Sequence, residues 1–235
     1  MLIGGIQKTT LLDYPWKVAT LLFTVGCNLR CQFCYNPQFV LPWKIKELAE
    51  DLIDPQAVLS FLDERKDFID GVVICGGEPT LQDGLQAFIV QIKELWLLVK
   101  LDTNGRHPEV LQTLLQANLL DYVAMDVKDD RSGRPLLTWG VHENVENYKR
   151  SIQLLQESTI AYEFRTTVIK NYHTKEKIVA IAKSLQWAPL YALQNFTHET
   201  ELLNPYFTGR SFSEQELLWL KRAVTSFVEK CVIRA

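Results

Sequence analysis

The sequence predicts an α/β fold: a partial (β/α)6 barrel, with an open-sided parallel sheet and helices on its outer side. Six short apolar runs alternate with segments of helical periodicity along nearly the whole chain. These runs are mostly apolar throughout, as in parallel strands that are covered by helices. A length of 235 residues also suits one α/β domain. A twisted open α/β sheet is the alternative architecture.

Each predicted strand is a run of apolar or β-branched residues such as VATLLFT or GVVIC. Six strand–helix units are fewer than the eight of a closed barrel, so right-handed crossovers would stack them into a crescent with one open side. The predicted strands cover residues 18–24, 71–75, 97–102, 121–128, 162–169 and 191–196.

Helix starts are predicted from capping residues, and the helices from apolar positions spaced three and four apart. In the last helix, Cys231 continues the apolar stripe, so we expect it to pack in the core. The predicted starts are Asp54 with Pro55, Asp83 with Gln86, His107 with Pro108, and Ser213 with Glu216. The chain contains no linker, which predicts a single domain over 1–235, with a core at about 16–200 and a C-terminal helical tail at 201–235.

Composition argues against two classes of partner. The chain has 25 Lys and Arg against 28 Asp and Glu, a formal net charge of −3, which disfavours a nucleic-acid binder. No apolar run reaches the roughly 18 residues of a membrane helix. The N-terminus lacks the apolar core of a signal peptide. We therefore expect a cytoplasmic protein that binds neither membrane nor nucleic acid.

Polar residues cluster where the predicted strands end. In parallel α/β folds ligands bind beyond the carboxyl ends of the strands. The i,i+2 pairs on the fourth and fifth strands put both members on one face, and burying such charges is costly unless they pair with each other or with a charged ligand. These residues therefore predict a pocket for a small zwitterionic molecule. They are Gly76, Gly77, Glu78, Asp102, Asn104, Asp126, Lys128, Arg165, Thr167 and Gln194.

Three cysteines lie within eight positions, at Cys27, Cys31 and Cys34. Structural zinc is almost always held by four protein ligands, so a zinc-binding module would need a fourth donor such as Cys75. Three thiolates also suit a [4Fe–4S] cluster in which one iron stays open to another ligand. The spacing of the cysteines alone allows both a zinc site and an iron–sulfur cluster.

The cysteine loop CNLRCQFC, with Phe33 before its last cysteine, and GGEP one strand later resemble the radical S-adenosylmethionine superfamily. The resemblance extends over roughly residues 3–205 to the longer form of the activating proteins of anaerobic ribonucleotide reductases. The matching segments are, in order, LLDYPWK, FTVGCNLRCQFCYNP, DGVVICGGEPTLQ, VKLDTNG, DYVAMDVK, YEFRTTV and LQNF.

The resemblance implies that Cys27, Cys31 and Cys34 ligate the catalytic [4Fe–4S] cluster. S-adenosylmethionine would chelate the open iron and be cleaved reductively to a 5′-deoxyadenosyl radical, which takes a hydrogen atom from a glycine of the partner enzyme. The cofactor-binding residues it implies are Gly76 and Gly77 for a close approach of the backbone to the cofactor, and Glu78 and Asp102 for the methionine ammonium. The others are Lys128 or Arg165 for its carboxylate, Asp126 for a ribose hydroxyl, Asn104 and Gln194 for ribose or adenine, and Phe33 and Tyr35 beside the adenine.

The partner implied is anaerobic ribonucleotide reductase, a glycyl-radical enzyme, with a reductant such as flavodoxin or ferredoxin. The alternatives are activation of a formate-lyase type of glycyl-radical enzyme and radical chemistry on a small molecule. We expect residues 129–142 and the tail from 197 onward to determine this choice. The sequence departs from the family pattern at four positions: Trp16 replaces glycine, Val25 glutamine, Tyr35 histidine and Cys75 serine.

Overall fold

The computed structural model describes residues 1–128, 145–198 and 200–234, and contains one eight-stranded sheet in the order β1 to β8. The segment 129–142, expected to influence partner choice, lies outside the described residues. β1 pairs antiparallel with β2, and all later neighbours are parallel. The strands are β1 Ile3–Thr10, β2 Ala19–Thr24, β3 Gly71–Gly76, β4 Leu98–Thr103, β5 Tyr122–Asp126, β6 Ala161–Val168, β7 Tyr191–Asn195 and β8 Cys231–Arg234.

Strands β2 to β7 confirm the six predicted strands, and the predicted open parallel sheet is correct. Two edge strands were not predicted. β1 precedes the predicted core start near residue 16 and reads IGGIQKTT, in which glycines and polar residues replace the expected apolar run. It forms because its backbone pairs with β2, a contact that local composition does not encode.

The expectation that Cys231 lies on the last helix is wrong. That helix ends at Val224, and Cys231 begins β8, which pairs with β7 through Tyr191 and Cys231. The predicted C-terminal tail at 201–235 is therefore only partly helical. Cys231 is still buried, as predicted, because the strand places it beneath the same helix.

Three of the four predicted helix starts are confirmed and one is wrong. His107 is the N-cap residue of a helix that begins at Pro108, although its side chain makes no capping bond. Asp54 accepts a hydrogen bond from the Gln56 N–H, and Ser213 forms a reciprocal capping box with Glu216. The predicted box of Asp83 and Gln86 is absent, because Gly84 caps that helix in a left-handed conformation and moves its start past Asp83. The helices are α1 Pro42–Glu47, α2 Pro55–Arg65, α3 Leu85–Glu94, α4 Pro108–Gln116, α5 Val145–Gln156, α6 Lys175–Ser184 and α7 Glu214–Val224. In the described ranges, no helix has both the length and the apolar character to cross a membrane.

The main core lies between the outer face of the sheet and the helices. Ile74, Val99, Val123 and Phe164 are fully buried there. A second apolar layer fills the inside of the crescent near the amino-terminal ends of the strands, where Tyr14 belongs to the same buried cluster as Ala19, Leu21, Val73, Tyr122 and Ala124. The opposite end of the interior, at the carboxyl ends of the parallel strands, is left for polar groups.

Three tryptophans have the left-handed backbone conformation that glycine usually occupies. Trp96 and Trp187 follow the carboxyl ends of α3 and α6 with φ of 64° and 66°, and Trp16 has φ of 62°. A residue with a Cβ loses roughly 1–2 kcal/mol in this conformation. The cost is not offset by burial, since all three side chains are exposed.

Trp187 allows a direct test of this backbone constraint. We expect Trp187→Gly to be more stable than Trp187→Ala by about 1 kcal/mol, because both variants lose the same indole contacts and only glycine escapes the left-handed penalty. Urea unfolding followed by circular dichroism measures the difference in free energy of unfolding.

The matched control is Ala180, an exposed position within α6. There Ala180→Gly should lower the free energy of unfolding by about 1 kcal/mol, the ordinary cost of glycine in a helix. Equal stability of the two Trp187 variants would mean that the chain at this position relaxes out of the left-handed region.

Candidate active site at the carboxyl ends of the strands

A cavity of about 550 Å³ opens at the carboxyl ends of the parallel strands. All of the residues that the sequence singles out as cluster ligands or cofactor contacts line it. These are Cys27, Cys31, Phe33, Cys34, Tyr35, Gly76, Gly77, Glu78, Asp102, Asn104, Asp126, Lys128, Arg165 and Gln194. The polar lining residues to which the sequence analysis assigned no role are Asp13, Asn36, Thr103, Asn195, Thr197 and Arg234.

The cysteine loop follows β2 and turns tightly, with the Cys34 N–H bonded to the Cys31 carbonyl at 3.0 Å. Backbone N–H groups of Leu29 and Asn36 point at the sulfurs of Cys27 and Cys34, each at 3.4 Å. Such N–H groups stabilise thiolates. The loop is therefore arranged with sulfur atoms as hydrogen-bond acceptors.

The protein alone keeps these thiols protonated. Burial, together with the nearby carboxylate of Glu78, raises the pKa of Cys27 to about 12. Burial also raises the pKa of Cys34. Conversion to thiolates therefore needs added positive charge, which bound iron supplies.

Within the described residues, no group of three or more His, Cys, Asp or Glu is arranged to hold a single metal ion. A cubane cluster makes a different demand, because each thiolate binds its own iron and the three sulfurs need not converge on one point. Cys75 lines the same cavity, but it packs with Leu21 and Val73 and not in the apolar group that contains Leu29 and Phe33. The donor set fits a cluster with three protein ligands better than a four-coordinate zinc site.

The chain after β7 holds the cysteine loop from outside. The N–H groups of Leu203 and Asn204 donate to the carbonyls of Cys34 and Gln32, both at 3.0 Å. The Tyr35 hydroxyl bonds to the backbone N–H and carbonyl of Thr197 at 3.0 and 3.1 Å. No sequence signal reveals these contacts, because their partners are far apart in the chain.

The glycines at the end of β3, Gly76 and Gly77, are required because neighbouring backbone lies too close for a Cβ atom. Gly76 has φ of 114°, and a Cβ there would lie 2.2 Å from the Thr24 nitrogen. At Gly77 a Cβ would lie 2.0 Å from the Gly26 carbonyl oxygen. Only glycine lets the loop after β3 pack directly against the loop after β2.

Glu78 connects the loops after β3 and β4. It is 1% exposed, and its carboxylate accepts bonds from the Thr80 N–H and hydroxyl, from the Thr103 hydroxyl at 2.7 Å and from the Asn104 N–H at 2.7 Å. Burial raises the pKa of Glu78, while these donors favour its ionised form. Both carboxylate oxygens are therefore engaged by the protein itself.

A chain of alternating charges crosses β4, β5 and β6. Arg165 donates to Asp102 at 2.8 Å and to Asp126 at 2.9 Å. Lys128 bonds the other oxygen of Asp126 at 2.8 Å, and Lys100 bonds the other oxygen of Asp102. Within this chain of five groups, three cations against two carboxylates leave one net positive charge, and the Glu78 carboxylate lines the same cavity.

These pairs keep both aspartates ionised. Burial would raise the pKa of Asp102 and of Asp126, but Arg165 with Lys100 or Lys128 lowers each pKa below its usual value. Burial would lower the pKa of Lys128, and Asp126 instead raises it. Of the five residues, sequence analysis missed only Lys100, although it stands in the same i,i+2 relation to Asp102 as Asp126 does to Lys128.

Asn104 connects this region to the cysteine loop. Its side-chain amide donates to the Asn28 side chain at 2.8 Å and approaches the Cys27 sulfur at 3.9 Å. At the opposite side of the cavity, Arg234 of β8 bonds Glu163 through two nitrogens, at 2.6 and 2.8 Å. The missed residue Arg234 lies in a strand that was itself not predicted.

Comparison with known proteins agrees with this geometry. The family model of the radical SAM superfamily matches residues 21–185. A protein of Methanocaldococcus jannaschii, provisionally named a glycyl-radical enzyme activating enzyme, is 33% identical over 237 residues, covering 99% of this chain and 95% of that protein. The pyruvate formate-lyase-activating enzyme of Staphylococcus aureus is 32% identical over 170 residues, covering 66% of this chain and 64% of its own length.

Solved structures share the fold at low sequence identity. SuiB of Streptococcus suis bound to its precursor peptide SuiA superposes with a TM-score of 0.64 at 15% identity, over 88% of this chain and 45% of SuiB. TYW1 with a lysine-pyruvate adduct gives 0.62 at 16% identity, over 88% of this chain and 72% of TYW1. Fold, family match and relatives agree: the chain belongs to the radical S-adenosylmethionine superfamily, in which it is homologous to activating enzymes of glycyl-radical enzymes.

Proposed function

We propose that this enzyme installs the glycyl radical of an anaerobic ribonucleotide reductase. Membership of the superfamily implies a [4Fe–4S] cluster and S-adenosylmethionine as cofactors. The cluster, when bound, supplies the electron for reductive cleavage of S-adenosylmethionine. The observation that carries the proposal is one cavity that contains three cysteines and a buried chain of charges.

In this proposal Cys27, Cys31 and Cys34 hold the cluster. Their sulfurs lie on one loop, and two of them already accept backbone N–H bonds. The nearby ammonium of Lys128 lies 5.9 Å from the centre of the Phe33 ring, between the charge chain and the cysteine loop. Its positive charge favours thiolates and attracts the carboxylate of a bound amino acid.

We assign the cations and the carboxylates of this chain of charges to different parts of S-adenosylmethionine. Lys128 and Arg165 would bind its carboxylate, and Asp102 and Asp126 would receive its ammonium or ribose hydroxyls while holding Arg165 in place. Each charge-assisted bond contributes about 1.5–3 kcal/mol. Phe33, Tyr35, Asn104 and Gln194 line the remaining wall, where we assign them to the nucleoside. Because the protein itself engages both oxygens of Glu78, we assign Glu78 to positioning the loops after β3 and β4, and not to the methionine ammonium that the resemblance implies.

The open side of the sheet suits a polypeptide substrate. β1 and β8 are the two edges of the sheet, and in the described part of the chain they do not pair with each other. A glycine-containing loop could therefore reach the cavity from the side. The motifs from LLDYPWK to LQNF favour anaerobic ribonucleotide reductase as the protein that contributes this loop, with flavodoxin or ferredoxin as reductant.

A second candidate partner is a formate-lyase type of glycyl-radical enzyme. It is favoured by the similarity to the Staphylococcus aureus activating enzyme over 170 residues. Both candidates use the same chemistry at the same cavity and differ only in the protein that is activated.

The cluster assignment predicts different effects for the five cysteines. Replacing Cys27, Cys31 or Cys34 by alanine should abolish cluster binding, because a cubane with two protein thiolates is not retained. Cys75→Ala and Cys231→Ala should retain full iron and sulfide content after anaerobic reconstitution. Metal analysis and visible absorption measure the outcome. Loss of iron from the Cys75 variant, or zinc in place of iron, would contradict the assignment.

The position of Glu78 predicts a structural effect. In either orientation Glu78→Gln turns an amide NH₂ toward a backbone N–H, that of Thr80 or Asn104, so the free energy of unfolding should fall by about 1–3 kcal/mol. Chemical unfolding of the anaerobic protein measures this loss, and Glu64→Gln on the exposed face of α2 should leave stability unchanged. Unaltered stability of the Glu78 variant would mean that the two loops are held together by other contacts.

The partner is tested by mixing the reconstituted enzyme, S-adenosylmethionine and a reductant with each candidate under anaerobic conditions. We expect electron paramagnetic resonance to detect a glycyl radical on the reductase, and none on a reductase whose acceptor glycine is replaced by alanine. A radical only on the formate-lyase would support the second candidate. Turnover on a free metabolite with no protein radical would contradict both.

A further inference from the structure

Arg234 of β8 forms an ion pair with Glu163 of β6 on the inner face of the sheet. Two of its guanidinium nitrogens bond the two Glu163 oxygens, at 2.8 and 2.6 Å. The Glu163 side chain is 1% exposed, whereas the Arg234 side chain is 38% exposed and lines the cavity. The contact spans two strand spacings, because β7 lies between β6 and β8. The proposed function gives neither residue a role.

The register of the sheet explains how Arg234 reaches Glu163. Arg234 pairs with Gln194 on β7, and Ala192, two positions before Gln194, pairs with Arg165 on β6. Because side chains alternate between the faces of a sheet, these residues and Glu163 share the inner face. Ala192 carries only a methyl group, which leaves room for the Arg234 side chain to cross β7.

Glu163 is close enough to act on two guanidinium groups. Burial lowers the pKa of Arg165, but Asp102, Asp126 and Glu163 together raise it well above its usual value. The hydrogen bond to Glu163 raises the pKa of Arg234, and the charge of Arg165 opposes this rise. Glu163 therefore feels the charge of Arg165 while both of its oxygens bond Arg234.

This arrangement prevents a competition for Arg165. The Arg165 guanidinium already bonds two carboxylates, those of Asp102 and Asp126. A buried carboxylate without a partner is costly and attracts the nearest cation, which on β6 is Arg165. Because Arg234 bonds both oxygens of Glu163, Arg165 stays with the two aspartates.

We propose that Arg234 is a positioning residue for the binding of S-adenosylmethionine. By pairing with Glu163, it keeps Arg165 on Asp102 and Asp126, where Arg165 binds the cofactor carboxylate. Arg234 acts through Glu163 and makes no contact with the cofactor. The inference rests on the assignment of Arg165 to that carboxylate under the proposed function, and it does not depend on which glycyl-radical enzyme is activated.

Calorimetric titration of the anaerobically reconstituted protein with S-adenosylmethionine tests the proposal. Reductant is left out, so the cofactor binds without being cleaved. We expect Arg234→Gln to raise the dissociation constant at least about 10-fold, the loss of one charge-assisted bond from a displaced Arg165. Adding Glu163→Gln should restore the dissociation constant to within about 3-fold of wild type, because the competing charge is then removed.

The melting temperature of the same proteins separates positioning from simple stabilisation. Arg234→Gln should lower it by roughly 5 °C or more, because Glu163 is left as an uncompensated buried charge. The added Glu163→Gln should recover most of this loss. A lower melting temperature with an unchanged dissociation constant would show a structural role only and overturn the proposal. A raised dissociation constant that Glu163→Gln does not restore would also overturn it.

A third comparison decides the question even where the single Arg234 variant fails to fold. In a protein that already carries Glu163→Gln, the further change Arg234→Gln should alter the dissociation constant by less than about 3-fold. A larger loss in this background would mean that Arg234 contacts the cofactor directly, which contradicts the proposal.

Lys170→Gln is the matched control. It breaks an ion pair with Glu216 that lies just beyond β6 and is partly exposed on both sides. The dissociation constant should stay at the wild-type value, and a loss equal to that of Arg234→Gln would overturn the proposal.

Arg165→Lys distinguishes failure of this inference from failure of the proposed assignment. It should raise the dissociation constant at least about 10-fold, because lysine lacks the fork of donors. An unchanged value would refute the assignment of Arg165 and the inference with it. A loss in Arg165→Lys without a loss in Arg234→Gln would refute the inference alone.

Discussion

The guanidinium of Arg165 is the group on which the site depends most. It lies on β6 and bonds one carboxylate from each of the two preceding strands, Asp102 on β4 and Asp126 on β5. Two buried carboxylates so close together would repel, and removing one partner of such a network leaves an uncompensated buried charge. Arg165 therefore fixes the relative positions of three strand ends. The same ion pairs orient Lys128 toward the cysteine loop. The contacts that hold the strand ends together therefore also set the distribution of charge in the cavity.

Contacts between the loops link these strand ends to the sulfur atoms of the cysteine loop. Gly76 and Gly77 let the loop after β3 lie against the loop after β2, and the Glu78 carboxylate bonds that loop to the Asn104 N–H after β4. The Asn104 side chain then reaches the Cys27 sulfur. Each contact is short in space and links segments that are distant in sequence. The loops that line the cavity are therefore bonded to one another, which suits the orientation of a cofactor that performs the difficult chemistry.

The sequence predicted the cavity better than it predicted the edges of the sheet. Apolar runs identify β2 to β7, and the rule that ligands bind beyond parallel strands places residues such as Asp126 and Gln194 together. β1 and β8 were missed because pairing with a neighbour, and not composition, makes their residues strands. The hydrogen bonds from Leu203 to the cysteine loop and from Tyr35 to the segment after β7 could not be predicted from the sequence either. They depend on a chain path that no local pattern specifies, and Asp83 shows that even a local cap fails when a neighbouring glycine takes the position.

The attachment of the segment after β7 to the cysteine loop has a consequence for biosynthesis. Asn204 and its partner Gln32 are 172 positions apart, so the ribosome releases the cysteines long before it makes the residues that hold them. A nascent chain thus carries thiols on an unsupported loop for most of translation. The hydrogen bonds to the carbonyls of Gln32 and Cys34 can form only after residues 203 and 204 have been synthesised.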